Sequence, residues 1–413
     1  MLSSSKKHLS FHTPGHKVGK WDLTELSFSD NLSAPKGCIR EAEEDITAIL
    51  ESEKSFLLTD GSTAGVLSML YAIKLLGAKK LAFPVHSHKS VYNDCALLGL
   101  TPVTFDLSVT DDGIPTQVAK KDALPALEQA DALLLTSPDY YGNIPDLKDL
   151  QSICKTQSKF LLIDGAHGGH LHFEKTLYAG AYADFWVDGV HKNLPAFTQG
   201  AVVSTKKKDY VSALQTAVDV FRTTSPSYPI MASVEYAVKF PRNEALEFAV
   251  KEFSKKHPDF VRLQEDWTKL CILFGKDAFE IEKRLEKQGI YAEFCDGNLI
   301  LFYLSPATKK GDFKRLCAVL EKEFARLGKP SVQLVPTPTV FKKIPENAVV
   351  EWVTPKDGIG RVCARAFGLF PPCIPLVRVG EIITKEKIEL LENAPNVFGL
   401  REQKIGVLKE EEL

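Results

Sequence analysis

Phe160-Leu161-Leu162-Ile163-Asp164-Gly165-Ala166-His167 and, further on, Phe185-Trp186-Val187-Asp188-Gly189-Val190-His191-Lys192-Asn193-Leu194 decide how this chain is read. In each, a short apolar run (Phe160 to Ile163, Phe185 to Val187) reads as a buried strand, and a chemically committed residue follows it. Asp164 and Lys192 stand 28 residues apart. A carboxylate and an amine delivered to the same end of neighbouring parallel strands are the two groups that pyridoxal phosphate needs. The amine forms a Schiff base with the aldehyde, and the carboxylate keeps the pyridine nitrogen protonated so that the ring accepts electrons. The spacing alone also allows a structural salt bridge and a surface lysine.

Outward from this pair the same rhythm continues. Leu81 to Phe83, Val103 to Phe105, Ala132 to Leu135 and Ala201 to Val203 are further strand candidates. The amphipathic stretches Gly65 to Leu76, Ser90 to Leu98 and Leu147 to Thr156 lie between strands. This is the βαβ alternation of a mostly parallel sheet covered by helices, which places ligands beyond the carboxyl ends of its strands. Residues 1–45 read as an irregular N-terminal segment, with Pro14-Gly15 and Pro35-Lys36-Gly37 as turn signals. Residues 46–240 read as the large domain and 241–413 as a smaller α+β domain. The latter has helices at Ala245 to Phe253, Phe279 to Lys287 and Asp312 to Leu327, and strands at Leu299 to Tyr303 and Val349 to Val353.

Composition excludes several functional classes. At 413 residues, 44% hydrophobic and 25% charged, the chain is an ordinary globular protein with room for two or three domains. A net charge of −2 leaves no basic footprint for nucleic acid or an anionic membrane. No apolar run approaches a bilayer span, and the N-terminus lacks the apolar core of a secretory signal. Eight cysteines without a CxxC read as reduced thiols in a cytoplasmic protein.

Other residues carry candidate chemistry. Thr59-Asp60-Gly61-Ser62-Thr63-Ala64-Gly65 opens a helix with free N–H groups and two hydroxyls, an anion site suited to one phosphate; plain N-capping is the alternative. His86-Ser87-His88-Lys89-Ser90 follows a strand, where an imidazole could lie flat on a cofactor ring or be an ordinary loop histidine. His167, His170 and His172 cluster, but without a HExxH partner, and Pro14-Gly15 between His12 and His16 opposes a helical metal pair; no metal is expected.

Taken in order, these pieces resemble the Orn/Lys/Arg decarboxylases of the major domain type, in the short form, which are fold-type-I pyridoxal-phosphate enzymes. The resemblance runs from about residue 11 to 385. Its motifs are Phe11-His12-Thr13-Pro14-Gly15-His16-Lys17, Asp22-Leu23-Thr24-Glu25, Gly61-Ser62-Thr63, His88-Lys89-Ser90 and Thr136-Ser137-Pro138-Asp139-Tyr140-Tyr141-Gly142. They continue with Asp164-Gly165-Ala166-His167-Gly168, the run from His191 to Gln199, and Thr224-Ser225-Pro226-Ser227-Tyr228. The resemblance implies that Lys192 is the Schiff-base lysine, that Asp164 pairs with the pyridine nitrogen, and that His88 stacks on the ring with Ala166 on the opposite face. It implies that Gly61, Ser62 and Thr63 hold the phosphate with His191 beside it, that His167 belongs to the same site, and that Ser225 reaches the cofactor of a second subunit in a homodimer or larger assembly. The implied reaction is decarboxylation of lysine, ornithine or arginine to the amine, as in polyamine biosynthesis.

Departures from the family pattern are as informative. Val85-His86 replaces an Arg-Asn pair, Gly189 replaces a serine that contributes to phosphate binding, and Asn193 replaces a threonine. Near the C-terminus Cys373 and Val379 replace a glycine and a proline, and Glu381 keeps the acid of that motif. Competing readings are transamination or elimination, with Arg361, Arg365 or Arg378 as a carboxylate-binding arginine, a catalytically weak cofactor-binding homologue, and, last, a zinc hydrolase.

Overall fold

The computed structural model describes residues 11–15, 22–26, 28–330, 349–369, 375–394 and 396–409. Its main sheet has seven strands: β1 (Lys54–Leu58), β2 (Lys80–Pro84), β3 (Thr101–Phe105), β4 (Ala132–Thr136), β5 (Phe160–Gly165), β6 (Phe185–Asp188) and β7 (Ala201–Thr205). They lie in the order β1-β7-β6-β5-β4-β2-β3. From β6 to β3 every neighbouring pair is parallel, and β7 runs antiparallel to both β6 and β1. Apart from the edge strand β3, the strands are buried without alternation because helices cover both faces, which is why the runs are legible as strands but not as one-sided ones.

On one face lie α2 (Gly61–Leu75), α3 (Lys89–Leu98) and α7 (Val211–Phe221); on the other lie α1 (Cys38–Ile49), α4 (Lys120–Leu127), α5 (Leu147–Thr156) and α8 (Tyr228–Val238). Each side is selected by spacing. In α5, Leu147, Leu150, Ile153 and Cys154 form the buried stripe, and the Asp146 carboxylate caps the first turn by accepting from Asp149 N at 3.1 Å. Burying each such leucine or isoleucine contributes about 1.5–3 kcal/mol before chain entropy is charged against it.

Strand register fixes the site. Thr136 lies opposite Asp164, Asp164 opposite Val187, and Gly165 opposite Asp188. The carboxyl ends of β4, β5 and β6 are therefore level. The chain leaves β6 into the four-residue helix α6 (Val190–Asn193), which carries Lys192.

A second, antiparallel sheet is built from β8 (Val261–Leu263), β9 (Lys269–Leu273), β10 (Phe294–Cys295) and β11 (Leu299–Tyr303), in the order β10-β11-β9-β8. Helices α9 (Glu244–Lys256), α10 (Ala278–Glu286) and α11 (Lys310–Leu327) cover it over a separate apolar cluster. The α+β character expected after residue 240 is present there.

Several elements escaped the sequence. Strands β1, β8, β9 and β10 and helices α4 and α7 were not read. Helix α1 runs through residue 45, where an irregular segment was expected. Its start has no side-chain cap at Gly37; instead the Asp30 carboxylate accepts N–H bonds from Gly37 (2.8 Å) and Ile39 (2.9 Å), a contact too distant in sequence for a local capping pattern. Among the described residues no helix is long and apolar enough to cross a membrane.

Candidate active site

A cavity of about 250 Å³ opens at the carboxyl ends of the parallel strands, and both Asp164 and Lys192 line it. The sheet delivers Asp164 at the last turn of β5, 3% exposed, where the Ala166 N–H donates to Oδ1 at 3.1 Å. Lys192 stands on α6, with Nζ 3.0 Å from Nε2 of His167.

Burial, the charges of Lys192 and Lys269, and the nearby His88 hold the His167 imidazole well below its usual range, so it is neutral. Two tyrosines clamp that ring edge-on: Tyr140 at 5.2 Å and Tyr303 at 5.4 Å between centroids. Tyr140 is itself tied down, its hydroxyl donating to Glu293 Oε1 at 2.6 Å. A neutral ring whose Nε2 accepts from the lysine carries its hydrogen on Nδ1, and that buried atom has no partner among the described residues.

His88 lines the cavity and also caps α3. Its Nδ1 accepts from Ser90 N at 3.2 Å and lies 2.9 Å from Ser90 Oγ. The side chain thus both lines the cavity and caps a helix. Burial lowers its pKa, with Asp164 acting in the opposite direction.

Gly61, Ser62 and Thr63 line the cavity at the start of α2. Asp60, in the N-cap position, makes no side-chain bond to the helix, so the positive end of α2 is left to the cavity. Gly65 brings that helix against the sheet: a Cβ there would lie 2.4 Å from the Val187 side chain. His191 lines the cavity too; its Nδ1 hydrogen bonds the Gly200 carbonyl at 2.9 Å, and burial lowers its pKa.

The cavity therefore assembles Gly61, Ser62, Thr63, His88, Asp164, Ala166, His167, His191 and Lys192. Ser225 is the exception. It is exposed and does not line the cavity of its own chain. The residues present suit pyridoxal phosphate: an open helix terminus with hydroxyls, a carboxylate and an amine line one cavity, and two of its lining histidines, His86 and His167, have a buried Nδ1 without a partner among the described residues.

Thr198 and Gln199, quoted only as the end of a motif, line the cavity, as do Leu107 and Pro115 to Val118, which the sequence did not single out. Gln199 adopts a left-handed φ of 79°, and its carbonyl accepts from Gly61 N at 2.9 Å. Asp139, quoted only as part of a motif, also lines the cavity. Burial pushes its carboxyl up to about 6 despite N–H bonds from Tyr141 and Asn143.

The remaining candidates lie elsewhere. Arg361 pairs with Glu351, Arg378 with Asp106 (3.4 Å) and Glu381 (3.5 Å), and Arg365 is exposed; none of them lines the cavity. Glu381 is buried against Lys387 and Arg378, and is not a cavity residue either. Val379 is exposed, whereas Cys373, His16 and Lys17 fall outside the described residues. His170 pairs with Asp266 at 2.9 Å and His172 with the Gly169 carbonyl at 2.7 Å, and no group of three metal-ligating side chains occurs among the described residues.

Known proteins share this architecture. The model of the Orn/Lys/Arg decarboxylase major domain matches residues 20–257. The arginine decarboxylase of Bacillus subtilis is 27% identical over 94% of this chain and 91% of its own. Among solved structures, lysine decarboxylase A from Pseudomonas aeruginosa superposes with a TM-score of 0.71 at 16% identity, over 94% of this chain and 74% of its own. A structure of SPT with PLP superposes with a TM-score of 0.56 at 16% identity, over 70% and 77% of the two chains. The fold is that of the fold-type-I pyridoxal-phosphate enzymes, and the chain belongs to the Orn/Lys/Arg decarboxylase family.

Proposed function

We propose that the chain is a pyridoxal 5'-phosphate-dependent decarboxylase of a basic amino acid, lysine, ornithine or arginine. One observation carries this reading: Asp164 and Lys192 line a single cavity at level strand ends. In this proposal Lys192 Nζ holds the aldehyde carbon, Asp164 faces the ring nitrogen, His88 and Ala166 flank the ring, and Ser62 and Thr63 with the start of α2 hold the phosphate. When bound, the cofactor supplies a ring that takes up the electron pair left behind as the substrate carboxylate departs as CO2.

The protein's own part is to position groups and to hold protons. An ionised Asp164 favours a proton on the ring nitrogen, and the Ala166 N–H fixes the direction of that carboxylate. Neutral His167 accepts from Lys192 and so orients the amine; a proton held at Lys192 Nζ is then available to the substrate Cα after CO2 has left. Asp139 supplies a second carboxylate to the cavity, in keeping with a cationic substrate, and among the described residues no arginine lines it to grip a carboxylate as a transaminase needs. The exposed position of Ser225 suits a role toward a second subunit's cavity in a homodimer.

A mass-spectrometric product screen with lysine, ornithine and arginine, in the presence of added cofactor, tests the proposal. One of them should yield its amine and CO2. A keto acid as the product, or no product from any of the three, would overturn it.

A further inference from the structure

The Asp266–Lys269 pair is buried, with both side chains 0% exposed, yet it has no part in the chemistry above. Burial opposes charge on both partners and lowers the Lys269 pKa, while His170 and Lys269 hold the Asp266 carboxyl well below its ordinary range. One of its contacts reaches a cavity residue, His167. Lys269 Nζ donates to Asp266 Oδ2 (2.7 Å), Thr268 Oγ1 (3.0 Å) and the His167 carbonyl (3.2 Å). Asp266 Oδ1 takes His170 Nε2 at 2.9 Å and the Thr268 N–H at 3.0 Å.

Asn193, the residue after Lys192, completes the cluster at 1% exposure. In the amide orientation that satisfies all its neighbours, its nitrogen donates to the His167 carbonyl at 2.8 Å and its oxygen accepts from Lys269 Nζ at 3.0 Å. A third cavity wall joins through Gly142, whose carbonyl accepts from Asp266 N at 3.0 Å and whose missing Cβ would sit 3.0 Å from the Lys269 side chain. The residues leading into and beginning β9 thus hold the backbone of His167 and the neighbour of Lys192 at once.

We infer that Asp266 and Lys269 are positioning residues for the reaction: acting through Asn193 and the His167 carbonyl, they fix Lys192 Nζ against His167 Nε2. The inference rests on Lys192 being the amine that holds the cofactor.

The test uses the full-length protein with added pyridoxal phosphate, and reads the rate at which borohydride fixes the cofactor on residue 192, located by peptide mass mapping, alongside kcat and KM. Asn193→Ala leaves Lys192, His167 and the ion pair in place; Asp266→Asn with Lys269→Met removes the pair without stranding a charge. Each should slow covalent capture about tenfold or more and lower kcat while leaving KM within about twofold. Combined, they should cost no more than either alone, as expected of residues acting in series.

Normal capture in Asn193→Ala, or effects that multiply in the combination, would overturn the inference. Should the paired variant fail to fold, the Asn193→Ala rate alone decides between these outcomes. Failure of the underlying reading looks different: the trapped cofactor would map to a lysine other than Lys192 in the unmodified protein.

Discussion

A Cβ on Gly189 would lie 2.3 Å from the carbonyl oxygen of Ala166 and 3.0 Å from its carbonyl carbon. The family's serine at this position therefore cannot be restored by adding a side chain, because backbone atoms occupy its place. Gly189→Ser should lower stability by about 2 kcal/mol or more, the range for forced backbone displacement, and weaken cofactor binding by shifting Ala166. Thermal denaturation and a cofactor titration of the purified variant measure both effects. Tighter cofactor binding at unchanged melting temperature would show that the loop had already moved to make room.

Asp164→Asn separates the role of charge from that of shape. The amide keeps the size and can still accept from Ala166 N–H, but it cannot stabilise a protonated ring nitrogen. Turnover should fall about 100-fold or more, while covalent capture of the cofactor at Lys192 continues. Single-turnover decarboxylation, followed beside the visible absorbance of the bound cofactor, distinguishes loss of chemistry from loss of binding. Equal activity would mean that another group serves the ring.

Ser62→Ala addresses the phosphate end. The side chain is 9% exposed at the open start of α2, where Asp60 provides no cap. Losing a hydroxyl bond to a charged phosphate costs about 1.5–3 kcal/mol, so the dissociation constant for pyridoxal phosphate should rise about tenfold or more. Because Asp164 and Lys192 are untouched, kcat at saturating cofactor should change little. Equilibrium dialysis at several phosphate concentrations checks this, since inorganic phosphate competes at the same end of the cavity.

The parallel strands were legible because they are buried on both faces and punctuated by helical patterns; Leu147–Thr156 was read to the residue. The pairing of Asp164 with Lys192 was legible because one ends the apolar run of β5 and the other stands shortly beyond β6. Helix α1 was not, since its start is organised by Asp30 across a turn rather than by its own cap. Nor was Lys269, whose meaning depends on meeting Asn193 and His167 across a long separation in sequence. Its one local sign is a charged pair, Asp266 and Lys269, set against the fully apolar run from Leu270 to Phe274. Thr198 and Gln199 enter the cavity through a left-handed residue that is not glycine, a conformation that sequence composition does not announce.

Asp188, at the end of β6, makes stability depend on pH. It is 1% exposed, and burial pushes its carboxyl up to about 7, although Tyr178 Oη (2.6 Å) and Trp186 Nε1 (3.1 Å) both donate to Oδ2. Its folded pKa lies above that of an exposed aspartate, so between the two the folded state binds more proton than the unfolded chain. Its contribution is therefore greatest in acid and declines as pH rises through about 7. Buried histidines act in the opposite sense: burial lowers the pKa of His86, His88, His167 and His191, and their contribution fades as pH falls below the ordinary histidine range. Asp188→Asn isolates the first effect, because the amide oxygen can still accept from Tyr178 and Trp186 and no charge has to be buried. The variant should gain on the parent between pH 6 and pH 8.5 by an amount on the order of 1–2 kcal/mol, while the histidine-driven loss below pH 6 stays in both. Chemical denaturation across that range reads the difference directly; parallel curves for the two proteins would mean that Asp188 stays ionised in the fold.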